Sequence, residues 1–298
     1  MPWNETSRVD QRQRFIVDVP AGLFTMTELC AARRAHPQWG PKKLLQYLGP
    51  RHRRVTAWPA ISTVGDLLVR EGLVTKRRRR RRSVHPGTVP PHTTEPNDLW
   101  AADFKGQFRT GDGIYCYPLT ITDQHSRYLL TCHSLRNIRT VGAKPAFERA
   151  FREYGLPRAI RTDNGVPFAT QAAHGLSQLN VWWMRLGIQH QRILPAHPQQ
   201  NGAHERMHKT LKAGAIRPPR ATLPAQQRAF DVFRREYNGV RPHDTLAGQT
   251  PASIYHASPR PYPKRLPSIE YPGHYLVKRH QRRHVSLWAP APLPCHAA

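Results

Sequence analysis

The amino-acid sequence predicts an α/β protein in which helices flank a mixed β-sheet, with a small all-α domain in front of the sheet. Three strand-like stretches follow one another from Leu99, and helical and strand patterns then alternate to about residue 238. Successive strands tend to pair antiparallel, whereas strands separated by a helix tend to pair parallel, so one sheet should contain both arrangements. A hydrophobic content of 39% is enough to give this sheet a buried core.

The predicted all-α domain rests on two short helical patterns. In HPQWGPKKLLQYLGP, Pro41 fits a first helical turn. In PAISTVGDLLVREGLV, Ser62 or Thr63 fits an N-cap and Gly72 fits a helix end. Two adjoining short helices predict a helix-turn-helix DNA-binding domain over residues 31–75. The alternative is an ordinary helical hairpin.

The charge of the chain points to a polyanionic partner. Lysine and arginine total 46 against 19 acids, which gives a formal net charge of +27. A nucleic acid is favoured over a membrane, because no apolar run reaches the roughly 18 residues that a spanning helix needs. We expect the basic, proline-rich stretch 76–97 to be a linker whose cationic run contacts DNA phosphates. That run consists of Lys76, Arg77, Arg78, Arg79, Arg80, Arg81 and Arg82.

The catalytic region of the chain follows from strand and helix periodicity and from turn residues. The first predicted strands lie in LWAADFKGQF and in IYCYPLTITDQHSRYLLTCHSL, with a GDG hairpin turn between them. A helix that Gly155 ends follows, and then a strand in RAIRTDNG, a helix in LSQLNVWWMRLG and a strand in IQHQRIL. The last two predicted elements are helices, in NGAHERMHKTLKAGAI and in LPAQQRAFDVFRREYN. Cys116 and Cys132 lie in apolar runs and should be core residues.

Three acids stand at positions that could form one site. Asp103 lies in an apolar strand, where a carboxylate is unfavourable unless it is paired or binds a metal. Asp163 ends a short strand, and Glu205 lies in a first helical turn. If the strands are neighbours, the three carboxylates converge and suit Mg²⁺ or Mn²⁺. The alternatives are a turn-forming role for Asp163 and a helix-dipole role for Glu205.

Glu205 also lies in a match to the zinc-protease pattern H-E-x-x-H, formed with His204 and His208. The further HxxGxxH pattern does not follow, and no two cysteines form C-x-x-C. In a helix, Glu205 points about 100° away from His204. If Glu205 faces metal ions, we expect His208 to flank the site without ligating them and His204 to lie to the side. A zinc metalloprotease is therefore a minor alternative.

Several stretches resemble the DDE transposases of bacterial insertion sequences, which are related to retroviral integrase. They are LWAADFKGQF, YPLTITDQHSRYLL, IRTDNGVPF, HPQQNGAHERMHKTLK and YNGVRPHDTLAGQTPASIY, in the family's order over about residues 97–256. The resemblance implies an RNase H-like integrase core over residues 98–256. It also implies two Mg²⁺ ions, cleavage at the 3′ ends of the element, strand transfer into target DNA, and assembly as a homo-oligomer on DNA.

The resemblance also assigns roles to individual residues. The catalytic, metal-binding acids match Asp103, Asp163 and Glu205. Asp123 matches a position that often carries an acid in this family, and we expect it either to be structural or to support the metal-binding acids from behind. Lys209 and Lys212 are expected to contact DNA phosphates. The expected supporting residues are Asn164, Gly165, Asn201, Gly202 and His208.

The ends of the chain depart from the family pattern. Residues 1–30 resemble the opening of a first helix-turn-helix whose remainder, including its recognition helix, is absent from the sequence. We expect residues 257–298 to form a basic tail in place of a fuller β-module. A truncated, non-catalytic DNA-binding regulator or a decayed transposase is therefore the main alternative, and a general nuclease is a weaker one. The expected location is the bacterial cytoplasm, in association with the nucleoid.

Overall fold

The structure, a computed structural model, describes residues 26–53, 55, 58–74, 93–169, 176–193, 202–267, 276–279 and 285–288. Most of the predicted remnant at residues 1–30 lies outside these ranges. The same holds for the cationic run 76–82 and for Asn201.

A mixed β-sheet forms the centre of the larger domain. Its strands are β1 (Leu99–Phe104), β2 (Phe108–Arg109), β3 (Tyr115–Asp123), β4 (Leu129–Leu135), β5 (Ala159–Thr162) and β6 (Gln189–Arg192). β3 lies antiparallel to both β4 and β1, and β1, β5 and β6 run parallel, so the main order is β4-β3-β1-β5-β6. The short β2 pairs with the start of β3. This is the RNase H-like topology, and the predicted mixed sheet flanked by helices is confirmed.

Helices cover both faces of the sheet. The helices of this domain are α4 (Thr140–Tyr154), α5 (Gln178–Arg185), α6 (Gly202–Leu211) and α7 (Leu223–Gly239). On one face, α4 and α5 pack with Trp100, Leu119 and Ile121 in a cluster of buried apolar side chains. On the other face, α6 and α7 pack with Cys116 and Cys132. A π-helical turn at Lys212–Ile216 continues α6.

The end of α4 and the start of α5 are set by local sequence signals. Gly155 ends α4 with a φ of 77°, as predicted. The helix in LSQLNVWWMRLG begins at Gln178, because Ser177 and Asn180 form a capping box. Leu176, the first residue of the predicted helical stretch, precedes that helix and is 40% exposed, so the helix begins later than predicted.

Three short helices form the N-terminal unit: α1 (Met26–Ala35), α2 (Pro41–Leu48) and α3 (Ile61–Arg70). Their shared core is made of Leu29, Trp39, Leu44, Val64, Leu67 and Leu68. The predicted N-cap at Ser62 or Thr63 is wrong, because the extended residue before the helix is Ala60. Gly72 ends the segment as predicted: its φ is 67°, and the Leu73 N–H donates to the Leu68 carbonyl at 2.9 Å.

Contacts with the sheet domain extend beyond the predicted boundaries. Asn97, placed at the end of the linker, is buried, and its backbone N–H donates to Asp123 Oδ2 at 2.7 Å. Arg260, placed in the tail, donates to the carbonyls of Pro157, Leu186 and Gly187. Later in the tail, β7 (Leu276–Arg279) and β8 (Val285–Trp288) pair antiparallel.

Polar contacts join the N-terminal unit to the sheet domain. Lys43 Nζ donates to the Pro242 carbonyl at 3.0 Å and to Asp244 Oδ2 at 2.9 Å. His36 Nδ1 lies 2.9 Å from Glu236 Oε1. These contacts place α1 and α2 against the end of α7 and the loop after it. Within the described ranges, none of the helices is long and apolar enough to cross a bilayer.

Candidate active site

Asp103 lies at the end of β1, in the middle of the sheet. It is the penultimate residue of the strand and pairs in register with Thr120 of β3. Its side chain is 20% exposed. An acid in this position is held by a rigid strand and still opens onto the edge of the sheet where ligands of such folds bind.

Asp163 and Glu205 are exposed near this end of β1. Asp163 follows β5 directly, and β5 is the parallel neighbour of β1. Glu205 lies in the first turn of α6. The pKa of Asp103 is raised to about 7, first by burial and then by the negative charges of Asp163 and Glu205, against a lowering by the Phe104 N–H and by Lys105. Both exposed acids therefore act electrostatically on Asp103.

The loop after β5 is shaped around the Asp163 carboxylate. The Gly165 N–H donates to Asp163 Oδ1 at 3.1 Å, and a Cβ on Gly165 would lie 3.0 Å from Asp163 Oδ2. Asn164 Nδ2 donates to the Ile193 carbonyl at 3.0 Å, which ties the loop to the segment after β6. Gly165 therefore contacts the Asp163 carboxylate directly, and Asn164 helps to fix the loop that carries it.

The exposed face of α6 carries positive charge beside Glu205. Lys209 and Lys212 are exposed and follow Glu205 by four and seven residues, so they lie along the same face. Gly202 is the first residue of the helix. Lys105, which the sequence analysis did not identify, acts electrostatically on both Asp103 and His208.

His204 and His208 lie on the buried face of α6, against β3. Both Nε2 atoms lie 2.7 Å from Thr120 Oγ1, and His204 Nδ1 lies 2.9 Å from Thr122 Oγ1. His208 Nδ1 lies 3.8 Å from Asp103 Oδ2, so His208 flanks the acids as expected. Burial lowers the pKa of His204, and it lowers that of His208 to about 3, so both rings are neutral.

The geometry of the histidine pair does not support a zinc-protease centre. Ligand atoms of Asp103, His204 and His208 do lie within 4.8 Å of one another. However, both ring nitrogens of His204 are engaged by threonine hydroxyls, and a metal there would have to replace these bonds. Glu205, the required general base of such an enzyme, is on the exposed side of the helix.

Asp123 has a separate, structural environment. Its fully buried carboxylate accepts hydrogen bonds from the Asn97 N–H at 2.7 Å, the Ser126 N–H at 2.7 Å and the Ser126 hydroxyl at 2.6 Å. Burial raises its pKa, and these three donors oppose the rise. Asp123 therefore stabilises the β3–β4 turn.

The acids fit a divalent cation chemically. Asp103 is disfavoured as an anion by its burial and by two neighbouring negative charges. A hard, doubly charged cation would remove that repulsion, and carboxylate oxygens are the ligands that Mg²⁺ and Mn²⁺ prefer.

Two protein-family models match the chain, and both describe an integrase core domain. One matches residues 93–198 and the other residues 186–251, so together they span more than half of the chain. The matched region contains Asp103, Asp163 and Glu205.

Insertion-element proteins are among the similar sequences. A protein of insertion element IS476 from Xanthomonas euvesicatoria is 27% identical over 240 residues, which is 80% of this chain and 66% of that protein. A protein of insertion element IS407 from Burkholderia multivorans is 29% identical over 193 residues, covering 61% of this chain and 64% of that protein. The chain thus spans slightly less than two thirds of the length of these relatives.

Similar solved structures include viral integrases. The HTLV-2 integrase catalytic core domain in complex with magnesium is 19% identical with a TM-score of 0.45, covering 55% of this chain and 100% of that chain. A chain of the simian T-cell lymphotropic virus intasome in complex with PP2A regulatory subunit B56 gamma is 19% identical with a TM-score of 0.49, covering 79% of this chain and 82% of that chain. Together, the two family models show that the chain belongs to the integrase core domain family, and its sequence is similar to proteins of bacterial insertion elements.

Proposed function

We propose that this chain cleaves DNA at the ends of an insertion element and joins the resulting 3′ ends to target DNA, with Asp103, Asp163 and Glu205 as its catalytic, metal-binding residues. The observation that carries the proposal is the placement of the acids: Asp103 lies at the end of β1, Asp163 follows the parallel neighbour β5, and both Asp163 and Glu205 of α6 act electrostatically on Asp103. A divalent cation bound by these carboxylates would remove the repulsion.

The proposed cofactor is a pair of Mg²⁺ or Mn²⁺ ions, held by the three carboxylates. When bound, such a pair supplies activation of the attacking oxygen and stabilisation of the leaving oxygen in phosphodiester chemistry. The protein contributes the rigid placement of Asp103 on β1 and of Glu205 on α6. Lys209 and Lys212 would hold the phosphates of the DNA that flank the reacting one.

The proposed partners are the ends of the element and the target DNA. Residues 31–75 would act as a helix-turn-helix that docks on DNA, and Lys76–Arg82 would add contacts to phosphates that do not depend on sequence. We further propose that the chain assembles as a homo-oligomer on paired DNA ends, in the bacterial cytoplasm and associated with the nucleoid.

The test is a cleavage and joining assay with DNA that carries the terminal repeats flanking the gene. With Mg²⁺ or Mn²⁺, the wild-type protein should give 3′-end cleavage and joined products. Asp103→Ala, Asp163→Ala and Glu205→Ala should each abolish both products, yet retain DNA affinity within about threefold, since phosphate contacts carry most of it.

A matched control is Glu148→Ala. This acid lies on α4 and, among the described residues, forms its ion pair with Arg152 four residues on, so the variant should keep full activity. Activity that survives in Asp163→Ala would contradict the assignment. A wild-type protein that binds these ends without processing them would instead favour the non-catalytic regulator.

A further inference from the structure

A buried chain of hydrogen bonds links the helix of Glu205 to the strand of Asp103. Its members are His204 of α6, Thr120 and Thr122 of β3, and Gln124, which follows β3. All four side chains are at most 3% exposed. The sequence places Thr120 and Thr122 on one face of a strand, and this face packs under α6.

The direction of each hydrogen bond follows from what each group can donate. The Thr120 hydroxyl hydrogen is directed to the Asp103 carbonyl, so Thr120 Oγ1 must accept from His204, and the other ring nitrogen, Nδ1, is left as an acceptor. Thr122 Oγ1, which accepts from the Gln124 amide nitrogen at 3.0 Å, therefore donates to His204 Nδ1 at 2.9 Å. His204 is then protonated at Nε2, which donates to Thr120 Oγ1 at 2.7 Å.

The chain of hydrogen bonds ends on the backbone of a proposed metal ligand. The Thr120 hydroxyl donates to the Asp103 carbonyl at 3.1 Å, because a carbonyl oxygen can only accept. Thr120 Oγ1 also accepts from His208 Nε2 at 2.7 Å, so its donor and both lone pairs are in use. The network therefore connects one residue adjacent to Glu205 with the main chain of Asp103.

Apolar packing alone already anchors α6 to the sheet. Met207 and Leu211 are buried in the cluster that α6 shares with β3, β4 and α7. Apolar contacts are not directional, so they leave a helix free to shift or rotate slightly on the sheet. Hydrogen bonds with fixed partners at both ring nitrogens remove that freedom.

We propose that His204 is a positioning residue whose bonds to Thr120 and Thr122 fix the Glu205 carboxylate relative to Asp103. The proposal rests on the proposed function, since it concerns the geometry of the same metal-binding acids. Residues that orient metal ligands in this way typically change metal affinity by about 10–100-fold when they are removed.

The experiment measures Mn²⁺ binding by electron paramagnetic resonance in the full chain, without DNA. Thr122→Val should weaken Mn²⁺ binding by about tenfold, because His204 Nδ1 loses its donor. Thr122→Ser keeps the hydroxyl and should restore wild-type affinity. In the joining assay, Thr122→Val should lower kcat and leave the KM for DNA unchanged.

A matched control is Thr110→Val, which removes a similarly buried hydroxyl from the β2–β3 hairpin. It should leave Mn²⁺ affinity unchanged. Wild-type affinity in Thr122→Val, with binding lost in Asp103→Ala, would overturn the positioning role alone. Unchanged Mn²⁺ binding in Asp103→Ala would instead overturn the proposed function, and the positioning role with it.

A measurement on the unmodified protein covers the case in which Thr122→Val does not fold. Nitrogen-15 spectra of the histidine rings should show the Nε2–H tautomer for His204. The Nδ1–H tautomer would reverse both hydrogen bonds of His204 and draw the Thr120 hydroxyl hydrogen away from the Asp103 carbonyl, which would overturn the proposal.

Discussion

Asp103 is an acid that the fold buries beside two other negative charges, so its ionised form is disfavoured. Its pKa is raised to about 7, first by burial and then by Asp163 and Glu205. The folded protein therefore holds a proton on Asp103 between about pH 4 and pH 7, whereas the unfolded chain has released it. Stability from this group is present at low pH and is lost as the pH rises towards 7.

Asp103→Asn should raise the stability of the cation-free protein at pH 8, because asparagine imitates the protonated carboxyl without the ionisation penalty. At pH 4 the variant and the wild type should have nearly equal stability. Thermal unfolding with a chelator present measures both. A variant that is less stable than the wild type at pH 8 would contradict the raised pKa.

Mg²⁺ provides the control for this prediction. It should raise the melting temperature of the wild type and leave that of Asp103→Asn nearly unchanged, since binding to the folded state alone stabilises it.

Sequence reasoning at the residue scale could identify acids but not their neighbours. Asp103 stood out because a carboxylate interrupts an apolar strand. The His204–Thr120–Thr122 network was missed because His204 lies more than 80 residues after both threonines in the sequence. The histidine and the threonines meet only when α6 packs on β3. The i, i+2 threonines and the i, i+4 histidines were the available signal.

At the scale of elements, helix ends were predicted best where glycine adopts a positive φ. Gly155 ends α4 with a φ of 77°, and a Cβ there would lie 2.7 to 2.9 Å from atoms of Ser258 and Arg260. Gly155 was predicted to end the helix. Glycine is also required there because the tail segment containing Ser258 and Arg260 passes directly over it. That contact is long-range, so no local pattern could reveal it.

Gly155→Ala should therefore destabilise the protein by roughly 3 kcal/mol or more, through both backbone strain and the clash with the tail. Chemical denaturation measures the change. Gly113→Ala is the control: Gly113 has a φ of 79° with open space around it, so it should cost only about 1 kcal/mol. Equal effects of the two substitutions would contradict the packing of the tail on α4.

The starts of two helices were predicted less well than their ends. Leu176 is in the predicted helical stretch, yet the capping box of Ser177 and Asn180 starts the helix after it. That signal is local, and in this stretch the cap outweighs the apolar pattern. Ala60 lies at the N-cap of α3, although Ser62 and Thr63 have the better capping side chains.

At the scale of the molecule, charge is the dominant feature. A net charge of +27 is concentrated in part in Lys76–Arg82, between the N-terminal unit and the sheet domain. If this run contacts DNA, each neutralised phosphate contributes about −0.9 to the slope of log affinity against log salt concentration.

Replacing Arg77–Arg82 by glutamine should flatten that slope by up to about 5 and weaken binding to all DNA sequences alike. Fluorescence anisotropy at several salt concentrations measures this. Arg152→Gln, on α4, is the control and should leave the slope unchanged. An unaltered slope in the Arg77–Arg82 variant would remove the run from the DNA interface.

The central claim is that Asp103, Asp163 and Glu205 bind two divalent cations together. The most direct measurement is anomalous diffraction from crystals soaked in Mn²⁺. The account predicts two peaks about 4 Å apart among the three carboxylates, and none in Asp103→Ala crystals. A peak ligated by His204 and His208, or no peak at the three acids, would contradict it.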